Sequence, residues 1–379
     1  MRLLLLTNLY PPQNLGGFGL CLERLCKGLE TLGYEALVVC SDAAYLGPVG
    51  LDPKICRILE LVGSYEGGIS RLKDPNEEKR RNDKNQATLK RIIKCYKPNA
   101  CLIGNLDLLG LELLDVVLSH NIPTIQHVGF MGAPMPLGSS QLNHPAYRMA
   151  FASAEVKIFL RKQGYNVNKY PVAYPPLTSD KPPRPSNCSS TQLKVCYSGL
   201  LMQSKGVHIL LEAIARLKQI GHNVKLSIAG KAFSPIYEDE LKNYAARVEI
   251  SNQISWCGFM AGDQLQKFYQ EQEVLVFPSL HPESFGMVVA EAMATGVVPI
   301  SSGVGGAIEV ITHGRNGLLV PPGNSEALAD ELAWCVSNKT ALKSMAKKAI
   351  KDSIKLYAPT RSAIELHKCF KQISRELYA

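Results

Sequence analysis

The sequence predicts an α/β protein of two doubly wound, Rossmann-like domains facing each other across a cleft. Three observations point there. Short apolar runs alternate with amphipathic helical stretches, the series starts over halfway along, and a proline-rich break separates the two series. Such alternation means βαβ units, hence parallel sheets with helices on both faces. A length of 379 residues suits two domains of ordinary size. The balance of 46% apolar to 20% charged residues is that of a globular chain with a sizeable core.

In order, Leu3–Leu6 reads as a first strand and Gly16-Gly17-Phe18-Gly19 as a glycine turn. A helix follows with Leu22, Leu25, Cys26 and Leu29 on one face. Ala36–Cys40, Ala100–Ile103 and Pro123–Gln126 continue the strands. Pro171 to Gln192, with Pro175-Pro176, Pro182-Pro183 and Pro185, then reads as a linker. The series restarts at Lys194–Ser198, with a helix through Leu210, Leu211, Ile214 and Leu217. Strands are expected at Val224–Ile228, Ile254–Cys257, Val274–Phe277 and Val297–Ser301, and a turn at Asn316-Gly317 leads into Leu318–Val320. The expected domains are 1–176 and 193–357 with a linker at 177–192. The last helix, about 358–379, is expected to pack back on the first domain. In this architecture ligands bind at the carboxyl ends of the strands.

The most informative segment runs from His281 to Gly296 and carries Glu283 and Glu291. It follows a buried-type strand closed by Pro278 and Ser279, and after Gly286 its pattern fits a short helix ended by Gly296. One carboxylate therefore sits in a loop before an exposed helix N-terminus, the other inside the helix. Unpaired amides and the positive end of the dipole suit an anion such as a diphosphate. Flanking carboxylates suit the hydroxyls of a sugar and a ribose. The alternative for any two glutamates so spaced is a solvated loop residue and a helix-surface residue.

Composition excludes several classes. The eleven cysteines include no C-x2-C pair, and Cys40, Cys101, Cys196 and Cys257 lie in apolar runs, as reduced, buried cysteines of a cytoplasmic protein do. Leu3–Leu6 is too short for a signal core, and nothing approaches the roughly 18 apolar residues of a membrane span. A net charge of +9 favours anionic partners without choosing among them. The cations concentrate at Lys79-Arg80-Arg81, Lys84, Lys90-Arg91, Lys94 and Lys97, with Leu89, Ile92, Ile93 and Tyr96 at helical spacing. This reads as a core-packed helix with a wet basic back. The sharper alternative is peripheral docking on an anionic membrane, at its inner face. Nucleic acid is not expected as a partner.

Over nearly the whole chain, and most specifically from Ser198 to Val320, the residues resemble the retaining, nucleotide-sugar-dependent glycosyltransferases of family four, which have the GT-B fold. The resemblance rests on Pro278-Ser-(x3)-Glu283-Ser-Phe-Gly-Met-(x3)-Glu291-Ala-Met-Ala-Thr-Gly-(x2)-Pro299, on Gly305-Gly306-(x2)-Glu309 and on Gly314-(x)-Asn316-Gly317-Leu318-Leu319-Val320. It implies that Glu283 holds hydroxyls of the transferred sugar. The Ser284, Phe285, Gly286, Met287 and Val288 backbone would meet phosphates and sugar, and Glu291 would bind the ribose. A second similar motif runs from Ser198 through Gly199 to Lys205-Gly206. Glycine after a strand lets backbone approach a ligand, and Lys205 supplies a mobile point charge for a leaving diphosphate. The family places an arginine where Leu200 stands; Lys231 is the residue that could replace it, or is a plain surface lysine. The nucleotide base is expected near Phe259 and Met260.

In the first half, Gly16 and Gly17 could cradle phosphate at a helix start, or form merely a tight turn. A lone histidine such as His127 is usually structural, but the family is similar in placing one at the end of this strand, facing the donor sugar. His120 and His144 lack such support. The resemblance thus implies catalytic roles for His127, Lys205 and Glu283. The reaction expected is transfer of a sugar from a nucleotide diphosphate sugar donor to an acceptor hydroxyl. No cofactor is expected, and no metal, since no Asp-x-Asp motif occurs. The rivals are a GT-B nucleotide-sugar epimerase, an inactive sugar-nucleotide-binding subunit, for which Leu200 is the argument, and a dehydrogenase. The last lacks a G-x-G-x-x-G after either half's first strand.

Overall fold

The computed structural model describes residues 1–378 apart from 67, 132–137, 179–191 and 233. The chain divides into two compact units, Met1–Thr178 with Pro359–Ala379, and Ser179–Ala358. Most of the stretch expected as a linker lies outside the described residues.

The first unit holds a six-stranded sheet of β1 (Arg2–Leu6), β2 (Glu35–Ser41), β3 (Ile55–Leu59), β6 (Ala100–Ile103), β7 (Thr124–Val128) and β8 (Tyr147–Phe151). A two-stranded hairpin, β4 (Gly63–Ser64) and β5 (Ser70–Arg71), stands beside it. The sheet order is β3-β2-β1-β6-β7-β8, and every neighbouring pair is parallel. Central strands of such a sheet are covered on both faces, so they read as continuous apolar runs. Leu3 to Leu6 and Cys101 to Ile103 are accordingly inaccessible to solvent. The edge strand β3 carries Arg57 at its middle and β8 carries Arg148 at its second position, which breaks the apolar run and hides them from a periodicity reading. The strand after Pro123 also runs further than its apolar residues suggest, through His127 to Val128.

The second unit repeats the plan. Its strands are β9 (Leu193–Ser198), β10 (Val224–Ala229), β11 (Ile254–Gly258), β12 (Val274–Phe277), β13 (Val298–Ser301) and β14 (Leu318–Leu319). They lie parallel in the order β11-β10-β9-β12-β13-β14. In both sheets chain order reverses at the centre, between β1 and β6 and between β9 and β12. At such a switch point successive connections leave to opposite faces, and a crevice opens at the carboxyl ends of the two strands. The ten described cysteines are all free thiols. Cys257, on edge strand β11, is only half-buried, and Cys95 is exposed on a helix, so burial is not general among them.

The helix Pro359–Tyr378 belongs to the first unit, although 180 residues of the second precede it in the chain. It lies against the helix Phe18–Thr31, whose buried stripe is Cys21, Leu22, Leu25, Cys26 and Leu29. Gly28 makes the close approach feasible: a Cβ there would stand 2.8 Å from the Pro359 carbonyl oxygen and 2.9 Å from Ala363 Cβ. Phe370 is fully buried, Tyr34 Oη bonds His367 Nδ1 at 2.9 Å, and Arg148 pairs with Glu376. Gly28→Val would overpack this crossing, and we expect it to cost about 1–3 kcal/mol. Thermal unfolding checks this; an unchanged Tm would mean that the two helices separate at no cost.

Candidate active site

The loops that leave β9 and β12 meet at the second unit's switch point. After β9 the backbone passes Gly199 at φ 150°, donating its N–H to Ala229 O at 3.0 Å. Gly199's own carbonyl lies 1.9 Å from where a Cβ of Gly230 would be, so no larger residue fits at 230. The buried Tyr197 hydroxyl donates to Leu200 O at 2.7 Å and ties the loop back on its strand. Burial first, and then the negative charge of Glu283, hold the Tyr197 phenol well above its ordinary range, so it remains a donor.

The turn Gln203–Lys205 ends at Gly206, left-handed at φ 69°. A side chain there would collide with the Pro278 carbonyl, 2.0 Å from the Cβ position. The two loops therefore touch backbone to backbone, and Leu280 N–H donates to Ser204 O at 2.8 Å. This contact sets Lys205 Nζ 2.5 Å from Glu283 Oε1. Ser279 Oγ donates to the same oxygen at 2.7 Å, and Ser302 Oγ donates to Ser279 O at 2.5 Å. The pair is about one-fifth to one-quarter exposed, so each charge keeps a path to solvent or ligand. A third loop closes in behind: Gly306 N–H donates to Glu283 O at 2.6 Å, and Cβ atoms at Gly305 and Gly306 would strike the backbone of Glu283 and Ser284. Sequence reading gave Ser279 no role beyond closing its strand and passed over Ser302; a hydroxyl's partners are invisible without the fold.

Gly286, at φ 85°, precedes the helix Met287–Ala294, and no side chain caps that N-terminus. The first amides of a helix have no intrahelical acceptor, so this end can receive an anion. Val289, Ala290, Ala292 and Met293 are buried, while Met287, Val288 and Glu291 are half-exposed. Positions three and four apart share a helix face. Glu291 thus lies on the same face as the open first turn. Phe285 does not offer its ring to this site: it is 2% exposed and packs edge-on against Tyr357 at 5.1 Å, leaving only its backbone available. At the carboxyl end of β11, Phe259 is 69% exposed and Met260 half-buried. Phe259 lines a cavity of about 220 Å³ together with Leu201, Ile228, Trp256 and the exposed Lys231.

Gly16, Gly17 and His127 belong to the first unit and come together there. Gly16 is exposed at φ 68°, and Gly17 leads into the helix whose first residue, Phe18, stacks on His127 with ring centroids 6.0 Å apart. His127 is the penultimate residue of β7. The ring is fully buried with Phe18 in front of it, and Nε2 lies 2.8 Å from Ala173 O. A carbonyl only accepts, so Nε2 carries the proton, and Nδ1 has no partner among the described residues. Burial pushes the imidazole pKa down to about 4, partly opposed by the bond to Ala173, and the ring is neutral at pH 7.

Residues 179–352 match the family described as Glycosyl transferases group 1. An uncharacterized glycosyltransferase of Methanocaldococcus jannaschii is 37% identical over 142 residues, 38% of this chain and 34% of that protein. The matches span a third to a half of the length of the first curated relatives. Among solved structures, a glycosyltransferase from Rickettsia africae superposes with a TM-score of 0.79 at 19% identity, covering 99% of both chains. The Anabaena HepE protein, solved with UDP, gives 0.75 at 19% identity, covering 98% of this chain and 100% of that one. Together with the strand order, these likenesses establish the fold as GT-B.

Between pH 6.5 and about 4 the unfolded chain protonates His127 and the folded chain does not. Folded stability therefore falls as pH falls through that window, by up to about 3 kcal/mol. Comparing the native chain with His127→Gln by thermal unfolding from pH 7 to 4.5 checks this: the variant should lose less on acidification, and parallel curves would refute it.

Proposed function

We propose, from the premise that the chain belongs to the group 1 glycosyl transferases through residues 179–352, that it moves a sugar from a nucleoside diphosphate sugar to an acceptor hydroxyl with retention of configuration. The observation that carries this reading is the Lys205–Glu283 pair at the switch point, beside the uncapped helix at Gly286. Lys205 and the amides of Ser284 to Val288 receive the diphosphate; Glu283 takes hydroxyls of the sugar. Glu291 holds the ribose, and the base lies by Phe259 and Met260.

In the resting site Lys205 and Glu283 neutralise one another. A diphosphate competes for the ammonium and frees a Glu283 oxygen to accept from a sugar hydroxyl. As the bond from the anomeric carbon to phosphate breaks, negative charge grows on the departing diphosphate. A fixed cation and fixed amides matter most there. Leu200 offers no charge, and Lys231, whose carbonyl accepts Leu201 N–H at 3.0 Å, brings the second cation to this loop. Neither a metal nor a cofactor is required by this reading. UDP-glucose, which occupies the Anabaena HepE protein in one crystal structure, is the first donor to test.

The basic helix Pro75–Tyr96 fits a peripheral contact with anionic membrane. Arg80, Arg81 and Lys84 are occupied by Glu60 and Glu77, whereas Lys90, Arg91, Lys94 and Lys97 cluster exposed at its carboxyl end. No helix among the described residues is long and apolar enough to cross a membrane. Cosedimentation with phosphatidylglycerol vesicles should fall when Lys90, Lys94 and Lys97 are changed to Ser, and in 0.5 M salt. Equal retention of both proteins would remove the membrane from the reading.

A panel of UDP-, GDP- and ADP-sugars should contain one that raises Tm, because a ligand bound only by the folded state stabilises it. Glu291→Ala should abolish that rise. With the donor found, Lys205→Ala should lower kcat about a hundredfold or more, the cost of losing one group that stabilises transition-state charge. No Tm response to any donor would sink the transferase reading.

A further inference from the structure

The first unit's sheet has its own switch point, between β1 and β6, and a cluster of polar side chains is built there. Asn8 follows β1 and Asp107 follows β6. Asn8 is 5% exposed and its amide is held from both sides: Leu9 N–H donates to Oδ1 at 2.7 Å, and Nδ2 donates to Asp107 Oδ1 at 2.6 Å. Tyr65, 8% exposed, donates its hydroxyl to the same carboxylate oxygen, and Leu108 N–H donates to it at 2.9 Å. Burial, and then the bond to Asp107, keep that phenol well above its ordinary range, so it stays a donor. Oδ1 of Asp107 thus accepts from Asn8 Nδ2, Tyr65 Oη and Leu108 N–H. Among the described residues no hydrogen bond reaches Oδ2. Asp107 itself is only half-buried. A carboxylate pinned through one oxygen presents the other in a fixed position, at the edge of the sheet where this architecture binds ligands.

Charge at that edge selects the ligand. The stretches 7–17, 42–50, 60–66, 104–111 and 129–131, which leave the carboxyl ends of β1, β2, β3, β6 and β7, contain four acids and no lysine or arginine. The cations that reach these stretches from elsewhere are occupied: Arg80 and Lys84 by Glu60, and Arg81 by Glu77 and Leu61 O. Arg57 donates to Pro11 O at 2.6 Å and approaches Gln13 Oε1 at 3.3 Å; Arg71 donates to Asp107 O at 2.8 Å and pairs with Glu78 at 3.2 Å. A phosphorylated ligand would meet acids with no cation to spare, whereas a neutral hydroxyl can donate to Asp107 Oδ2.

We infer that the Asn8–Asp107–Tyr65 cluster binds a hydroxyl of a neutral, polyhydroxylated acceptor such as an unphosphorylated sugar. The inference rests on the transferase reading for the word acceptor, but the binding it describes is measured without turnover. Saturation-transfer NMR on the full chain would compare methyl glucoside, methyl mannoside, methyl galactoside and myo-inositol with glucose 6-phosphate and mannose 6-phosphate. We expect at least one neutral polyol to bind and the phosphates to bind more weakly. Asp107→Asn should weaken that polyol about tenfold or more, the usual scale for a hydrogen bond to a charged group. Tyr65→Phe, which removes one donor to Oδ1 and keeps the ring, should weaken it severalfold, and it carries the test should the first variant not fold. No neutral polyol bound, preference for the phosphorylated sugars, or unchanged affinity in a folded Asp107→Asn chain would each overturn the inference. Donor-induced Tm shifts on the same samples report on the transferase reading separately, so the two can fail independently.

Discussion

The backbone contact between the loops leaving β9 and β12 is the constraint on which the candidate site depends. Gly206 has no Cβ because the Pro278 carbonyl occupies its place, and the closeness this allows brings a lysine and a glutamate from residues 78 apart in sequence to 2.5 Å. Removing either partner alone would leave a half-buried charge without its partner, an expensive state. The pair is therefore stable only while both loops hold their positions. Two serine hydroxyls, Ser279 and Ser302, fix the Glu283 carboxylate and the loop that carries it. Gly305 and Gly306 admit a third loop behind them. The site is made of close backbone approaches, and its charges are consequences of them.

The same topological rule acts twice. Each sheet reverses strand order at its centre, and at each reversal the loops carry polar side chains that bond one another. In the second unit the result is an ion pair beside an uncapped helix, suited to an anionic ligand. In the first it is a carboxylate pinned by an amide and a phenol in surroundings without a spare cation, suited to hydroxyls. A repeated architecture has thus acquired two chemistries through loop residues alone, as expected where function resides on loops held by a rigid scaffold.

Much of this was legible in the residues. Buried central strands announce themselves as apolar runs, so β1, β6, β9 and β12 could be read directly, and Gly286 and Gly296 bracket a helix that the structure ends at Ala294. The edge strands β3 and β8 could not, since strands with one neighbour tolerate Arg57 and Arg148. His127 was legible as a strand-end residue but its environment was not. The aromatic ring that covers it comes from Phe18, more than a hundred residues earlier, and fits only because Gly129 has no side chain to meet it. Phe285 likewise reads as part of an exposed motif, yet its ring belongs to the core beside Tyr357.

Local pattern, by itself, determined the class of fold, the two repeats and the segment that carries Glu283 and Glu291, because periodicity and glycine placement are properties of neighbouring residues. Tertiary structure alone decided which charges meet. It paired Lys205 with Glu283, set Ser279 behind the carboxylate, closed Phe18 over His127 and brought Asn8, Tyr65 and Asp107 together. Those outcomes depend on sheet order and on close approaches that leave no room for a side chain at Gly28, Gly129, Gly206 and Gly230. Contact between residues distant along the chain is set by how elements pack, and no window of sequence contains that information.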